Sequence, residues 1–150
     1  AMSECVNVPA NTTAQAIISA LDVLDARNVV MASPYTDETN AHEADYLRRH
    51  GIEVMASAGL NLNTSLEKIQ TISRVPPLEV FNHARTVNRK HAEAVVICCT
   101  DLNTFDVIEP LEAELRKPVI SSSSATLWHS LRGAGINDPI PGLGTLLRSN

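Results

Sequence analysis

Residues 94–98 read Ala-Val-Val-Ile-Cys (AVVIC), a continuous apolar run with three β-branched residues in a row. No polar residue alternates with them. A strand of this kind is covered on both faces, as strands of a parallel sheet are. Val29, Val30 and Met31, within residues 28–33, repeat the pattern until Pro34 stops it. Ile52, Val54 and Ala56 give another strand, and residues 118–121 a further one. Between these runs the apolar spacing turns helical. Ala14, Ile17, Ile18, Leu21 and Leu24 follow a capping-box pair, Thr12 and Gln15.

Asp37 and Glu38 suit a first helical turn, Ala41, Ala44 and Leu47 make its inward stripe, and Gly51 ends it. Residues 57–73 read as a polar loop with a short helix carrying Leu66 and Ile69. Pro76 and Pro77 open a helix with Phe81, Ala84 and Val87 inward. Val107, Ile108, Leu111 and Leu115 form the next face, where Pro110 is tolerable only near the first turn. Ser124 can cap a last helix through Ala125, Trp128, Leu131 and Ala134. Strands alternating with helices predict an α/β three-layer sandwich. Its sheet is mainly parallel, of about four strands, with helices on both faces. Ala1 and Met2 read as a cloning scar and start, residues 3–136 as the α/β domain, and residues 137–150 as an irregular tail.

The bulk composition agrees with one ordinary domain of 150 residues. It is 44% hydrophobic and 19% charged, enough apolar material for a core and too much for disorder. Aromatics are only 3%, so that core is aliphatic. A net charge of -5 without a basic stripe argues against nucleic-acid or anionic-membrane partners. Three cysteines, two of them adjacent, make a poor disulfide framework. With no signal-peptide pattern or membrane-length apolar run, the chain reads as a reduced, cytoplasmic protein.

Open α/β sheets bind ligands beyond the carboxyl ends of their strands. That rule selects residues 33–36, 57–63, 99–101 and 121–124, where small hydroxyl and thiol residues gather. Such groups and free amides at helix starts suit an anion such as a carboxylate. Cys98 should point into the packing as a small hydrophobe, and Cys99 into the crevice, near a helix start that would favour its thiolate. Tyr35 reads either as a site residue or as an amphipathic surface residue, and the serine run as site or as cap chemistry. Cys5 precedes a possible first strand over residues 6–8 and is not expected to be catalytic. The five histidines (His42, His50, His83, His91, His129) show no metal spacing and read as structural or surface. The sequence lacks a glycine-rich phosphate loop, which argues against nucleotides.

Residues 95–104 followed by 119–131 (VVICCTDLNT … VISSSSATLWHSL) resemble the second cysteine motif of maleate cis–trans isomerases. Residues 30–40 (VMASPYTDETN) resemble their Pro-Tyr-Thr-Asp segment, and residues 12–21 (TTAQAIISAL) the helix before it. Arylmalonate decarboxylases share the framework, so the resemblance is to that branch of the Asp/Glu racemase superfamily, in its C-terminal half. It covers most of residues 6–136.

The resemblance implies two similar α/β halves with the site between them, the first half lying outside this chain. It implies that Cys99 is the reactive thiol and that Thr100 offers its backbone N–H to a substrate carboxylate. Tyr35 would contact substrate with Thr36 beside it, Ser121 and Ser122 would line the pocket, and Asn63 or Asn61 would supply the family's asparagine. The implied function is a cysteine-dependent isomerase of small (di)carboxylates. The alternatives are a decarboxylase, an amino-acid racemase, or a non-catalytic carboxylate-binding or dimerising remnant of the fold. No cofactor or metal is implied, and a homodimer or higher oligomer is expected, because a lone half would expose apolar surface.

Overall fold

The computed structural model describes residues 10–148. Cys5, the segment 6–8 and the first two residues lie outside the described residues. Four strands form one parallel sheet: β1 (Asn28–Ser33), β2 (Glu53–Gly59), β3 (Ala94–Ile97) and β4 (Val119–Ser121). Their spatial order is β2-β1-β3-β4. The helices are α1 (Thr13–Val23), α2 (Asp37–Arg49), α3 (Leu66–Ile69), α4 (Pro77–Thr86), α5 (Phe105–Leu115), α6 (Ser122–Gly133) and α7 (Gly144–Arg148). A short 3-10 turn, Ile72–Arg74, precedes α4.

Alternation along β3 sorts the core into two layers. Val95 and Ile97 pack with Val80, Ala84, Ile108 and Leu111 of α4 and α5. Ala94, Val96 and Cys98 pack with Leu21, Leu47, Trp128 and Leu147 on the other face. All four β3 residues are buried, because both faces carry helices and both edges carry strands. The three-layer expectation is met in full.

Several local expectations change. β2 runs on to Gly59, through Ser57, a residue whose polarity suggested loop. It is an edge strand whose side chains are at most half-buried, so it tolerates a serine. Gly59 itself lies so close to the next loop that a Cβ there would fall 1.8 Å from the Tyr35 carbonyl oxygen. The short helix forms as expected, yet Leu66 is 79% exposed. Ala41 faces solvent; the inward residues of α2 are Asn40 and Leu47. Pro110 is the sixth residue of α5, well past its first turn. Its side chain is exposed, so the carbonyl that loses its helical partner can turn to water. The α6 helix is capped by Ser121 rather than Ser124, which instead closes a reciprocal capping box.

The tail is not irregular throughout. Residues 144–148 form α7, with Leu146 and Leu147 buried in the core. Two apolar residues inside a glycine- and proline-rich stretch were too short a signal to read. Gly144 starts this helix at φ +84, where a Cβ would meet Ile108 Cγ2 at 2.4 Å. Glu112 of α5 fastens it. The Glu112 carboxylate accepts from Val119 N–H (3.0 Å), from the Thr145 N–H (2.9 Å) and hydroxyl (2.9 Å), and from Arg148 (3.3 Å). Glu112→Ala should therefore lower unfolding stability in urea by about 3 kcal/mol, because several backbone and side-chain donors lose a charged acceptor. A loss below about 0.5 kcal/mol would show that α7 docks by its leucines alone.

Candidate active site

β1 and β3 end side by side at the centre of the sheet, and their following loops form the floor of a crevice. On the β1 side, Ser33 turns the chain: its hydroxyl donates to Asn40 Oδ1 of α2 and accepts from Tyr35 N–H at 3.0 Å. Thr36 then caps α2. Behind the floor, His83 Nε2 lies 3.0 Å from the Ser33 carbonyl and 3.1 Å from that of Ala58. Both partners are acceptors, so this nitrogen carries the proton and His83 is a structural tie between β1 and β2.

On the β3 side, the Cys98 N–H makes the last rung to Ala32 O (2.8 Å). The next residue, Cys99, adopts φ +91, a left-handed conformation that a side chain rarely occupies. Its N–H donates to the Ser122 hydroxyl at 3.1 Å, inside the protein. Ser123 in turn donates to the Thr100 carbonyl at 3.3 Å. The helix start beside Cys99 is thus that of α6, across the sheet, and not that of α5 in its own loop, which begins only at Phe105.

A cavity of about 460 Å³ opens here, bounded by α1, α2 and the β1 and β3 loops. Cys99, Thr100, Tyr35 and Ser122 line it together. Cys99 is 9% exposed. Three other candidates are placed elsewhere. Ser121 is fully buried, accepting from the Thr104 hydroxyl (2.8 Å) and Ser124 N–H (3.1 Å). Thr36 is spent on its cap, with its own N–H donating to Asn63 Oδ1 at 2.7 Å. Asn63 uses its Nδ2 on Thr39 (2.9 Å), so it pins the 60–63 loop to α2. Asn61, the alternative, sits at φ +57 and bonds the Tyr35 carbonyl through its N–H. All these side chains or backbones brace the site from behind its wall.

The sequence reading missed the face of α2. Thr39, His42, Glu43 and Tyr46 line the cavity, as do Thr13, Ala14 and Ile17 of α1. Their i, i+3, i+4, i+7 spacing is the signal that could have found them. It was masked because polar residues on a helix normally mean solvent. Cys98, expected to be wholly core, reaches the cavity as well. Burial raises its thiol's pKa, and the neighbouring Glu43 pushes the same way. Burial also raises the Tyr35 phenol, reinforced by Cys99 beside it and by Glu43. Glu43 itself is raised above the ordinary carboxylate range by burial, against a smaller opposing effect from the Cys98 thiol. Tyr35 is therefore a neutral donor at physiological pH. No group of three or more potential metal ligands occurs among the described residues. No helix among them is long and apolar enough to cross a membrane.

A thiol at a strand end, flanked by a neutral phenol, hydroxyls and a helix start, is an arrangement whose chemistry suits a small anionic ligand. The comparisons make this particular: the chain belongs to the arylmalonate decarboxylase family, whose model matches residues 1–147. It is 25% identical over 143 residues to the maleate isomerase of Alcaligenes faecalis, covering 95% of this chain and 55% of that protein. The crystal structure of arylmalonate decarboxylase superposes with a TM-score of 0.87 at 28% identity, over 97% of this chain and 64% of that one. A serine-for-cysteine mutant of the Nocardia farcinica maleate cis–trans isomerase superposes with a TM-score of 0.83 at 26% identity, over 91% and 54%. That structure holds a covalently bound succinylcysteine intermediate. The chain spans about half the length of the curated relatives it matches.

The positive φ of Cys99 has a measurable cost. Cys99→Gly should be more stable to heat than Cys99→Ala by about 1 kcal/mol, since glycine alone adopts this conformation without strain. Equal melting temperatures would mean that the backbone here is relaxed.

Proposed function

We propose that this chain carries half of a cysteine-dependent site that isomerises a small dicarboxylate of the maleate kind, with Cys99 as the reactive thiol. The observation that carries the reading is the cavity that joins Cys99, Tyr35, Thr100 and Ser122 at the end of β3. Isomerisation by transient addition and decarboxylation of a malonate share one demand. Each builds negative charge on a carbon next to a carboxylate, and a proton must be delivered to that carbon or removed from it. A thiol can do this and can also add to an activated double bond. The Tyr35 phenol, held neutral, can donate to the carboxylate oxygens as charge develops. Thr100 and Ser122 line the same cavity, and in this reading the Thr100 N–H and the Ser122 hydroxyl assist. Thr36 and Asn63 act one layer back, holding the loop that carries Tyr35.

The succinylcysteine in the N. farcinica enzyme was seen in a mutant lacking one cysteine, so another cysteine carries the adduct there. A covalent cysteine adduct in that enzyme supports thiol chemistry at the proposed site. The decarboxylase relatives need the same proton transfer, which makes arylmalonate decarboxylation the second reading.

Two experiments test this. Iodoacetamide should alkylate Cys99 ahead of Cys98, malonate should slow that reaction, and conversion of maleate followed by NMR should vanish in Cys99→Ala. Full turnover by Cys99→Ala sinks the mechanism, while malonate protection without turnover by the native chain favours a binding remnant. We also propose self-association, supported by the exposed Leu66 and Leu78. Sedimentation should show a dimer or larger species, and a monomer at high concentration counts against it.

A further inference from the structure

Thiol chemistry leaves one feature of the cavity unused, the Glu43 carboxyl on the second turn of α2. The Cys98 thiol hydrogen-bonds this carboxyl, yet its Oε2 is buried and has no hydrogen-bonding partner by distance and angle among the described residues. A bare buried acceptor is costly unless a ligand supplies its partner. The cavity wall contains no Lys or Arg among the described residues. The titratable groups around Glu43 are Tyr35 from the β1 loop, Cys98 and Cys99 from the β3 loop, and His42 and Tyr46 on its own helix. From the other sides, α1 and α6 bring the Thr13 and Ser122 hydroxyls and no charge. Nothing from the surrounding elements offers a permanent positive charge to hold Glu43 ionised. Burial favours its neutral form, and a neutral carboxyl, unlike a carboxylate, has an O–H to donate.

We propose that Glu43 is a substrate-binding residue that works as a carboxylic acid, donating the proton on Oε2 to a carboxylate of a ligand lying between it and Cys99. The proposal rests on the reading of the ligand as a small carboxylate and adds a second anchor to it. It also makes binding and protonation a single event. Below the raised Glu43 value the acid is present and the carboxylate is held. As pH rises through that value the proton leaves, two carboxylates face each other in an apolar wall, and the ligand is expelled.

Malonate is the probe, titrated calorimetrically into the 150-residue chain from about pH 5 to 9. Wild-type affinity should fall about tenfold per pH unit above the Glu43 value. Glu43→Gln keeps a donor but cannot titrate, so its affinity should lie within about threefold of the wild-type acid-limb value and stay flat with pH. Glu43→Ala should bind about tenfold more weakly than Glu43→Gln at acid pH. Thermal melts establish that both variants are folded. A pH slope that survives in Glu43→Gln, beyond that of malonate's own second ionisation, assigns the linkage to another group and overturns the proposal, as does a flat wild-type profile. Aspartate binding more tightly as pH rises would make Glu43 an ammonium partner and overturn it equally. Absence of malonate binding at every pH overturns both this proposal and the carboxylate reading, whereas binding without linkage overturns this proposal alone.

Discussion

The amide of Cys99 is the first donor beyond the β3 ladder, and it lies inside the protein where water cannot satisfy it. Ser122 accepts it, from the first turn of a helix that follows the neighbouring strand. Much of the site's geometry depends on that bond. It ties the end of β3 to the start of α6, and it brings the Cys99 thiol to a helix end of the kind that receives anions. It also accompanies the left-handed turn at Cys99, which separates the two adjacent thiols into different packing layers. Ser121, one residue earlier, is occupied with its cap, so the two serines divide the work: one builds the helix start and the other fastens the thiol loop to it.

The elements legible in the sequence were those whose signal is local. A β-branched run such as residues 94–97 has few ways to be buried, and the helices with caps at Thr12 and Thr36 begin where their side chains dictate. That Cys99, Thr100, Tyr35 and Ser122 would lie near one another was legible because all four follow strand ends on one edge of the sheet. The illegible parts depend on partners distant in sequence. Leu146 and Leu147 become core only because Glu112, more than thirty residues earlier, receives their helix. Glu43 and Thr39 read as surface residues of a polar helix until the opposing β3 loop makes them a wall. Ser121, Thr36 and Asn63 sit in the right segments, but their polar atoms are claimed by caps and loop contacts that sequence spacing alone does not reveal.

The cavity is also unusual in the sign of its ionisable groups. A carboxyl, two phenols and two thiols meet there, groups whose charged form is an anion, and His42 is the one ionisable residue lining it whose charged form is a cation. An anionic ligand is compatible with such a wall only if the groups stay protonated and act as donors. Burial supplies that condition for Tyr35, Glu43 and Cys98 alike. In the proposed function such a wall would act by hydrogen-bond donation in a medium of low polarity, the setting in which donors act most strongly on developing charge.

The fastening of α7 bears on the order in which the chain can be completed as it is made. β4 closes one edge of the sheet, and its first amide shares the Glu112 carboxylate with Thr145. Until residues 144–148 have left the ribosome, Glu112 lacks most of its donors and Leu146 and Leu147 have not covered their part of the core. Strands β1 to β3 can associate beforehand, but the β4 edge and the α6 helix start that follows it become fully supported last. The surface that receives Cys99 is thus fully supported only once residues 144–148 have docked, and a nascent chain stalled short of them would expose an unsealed sheet edge.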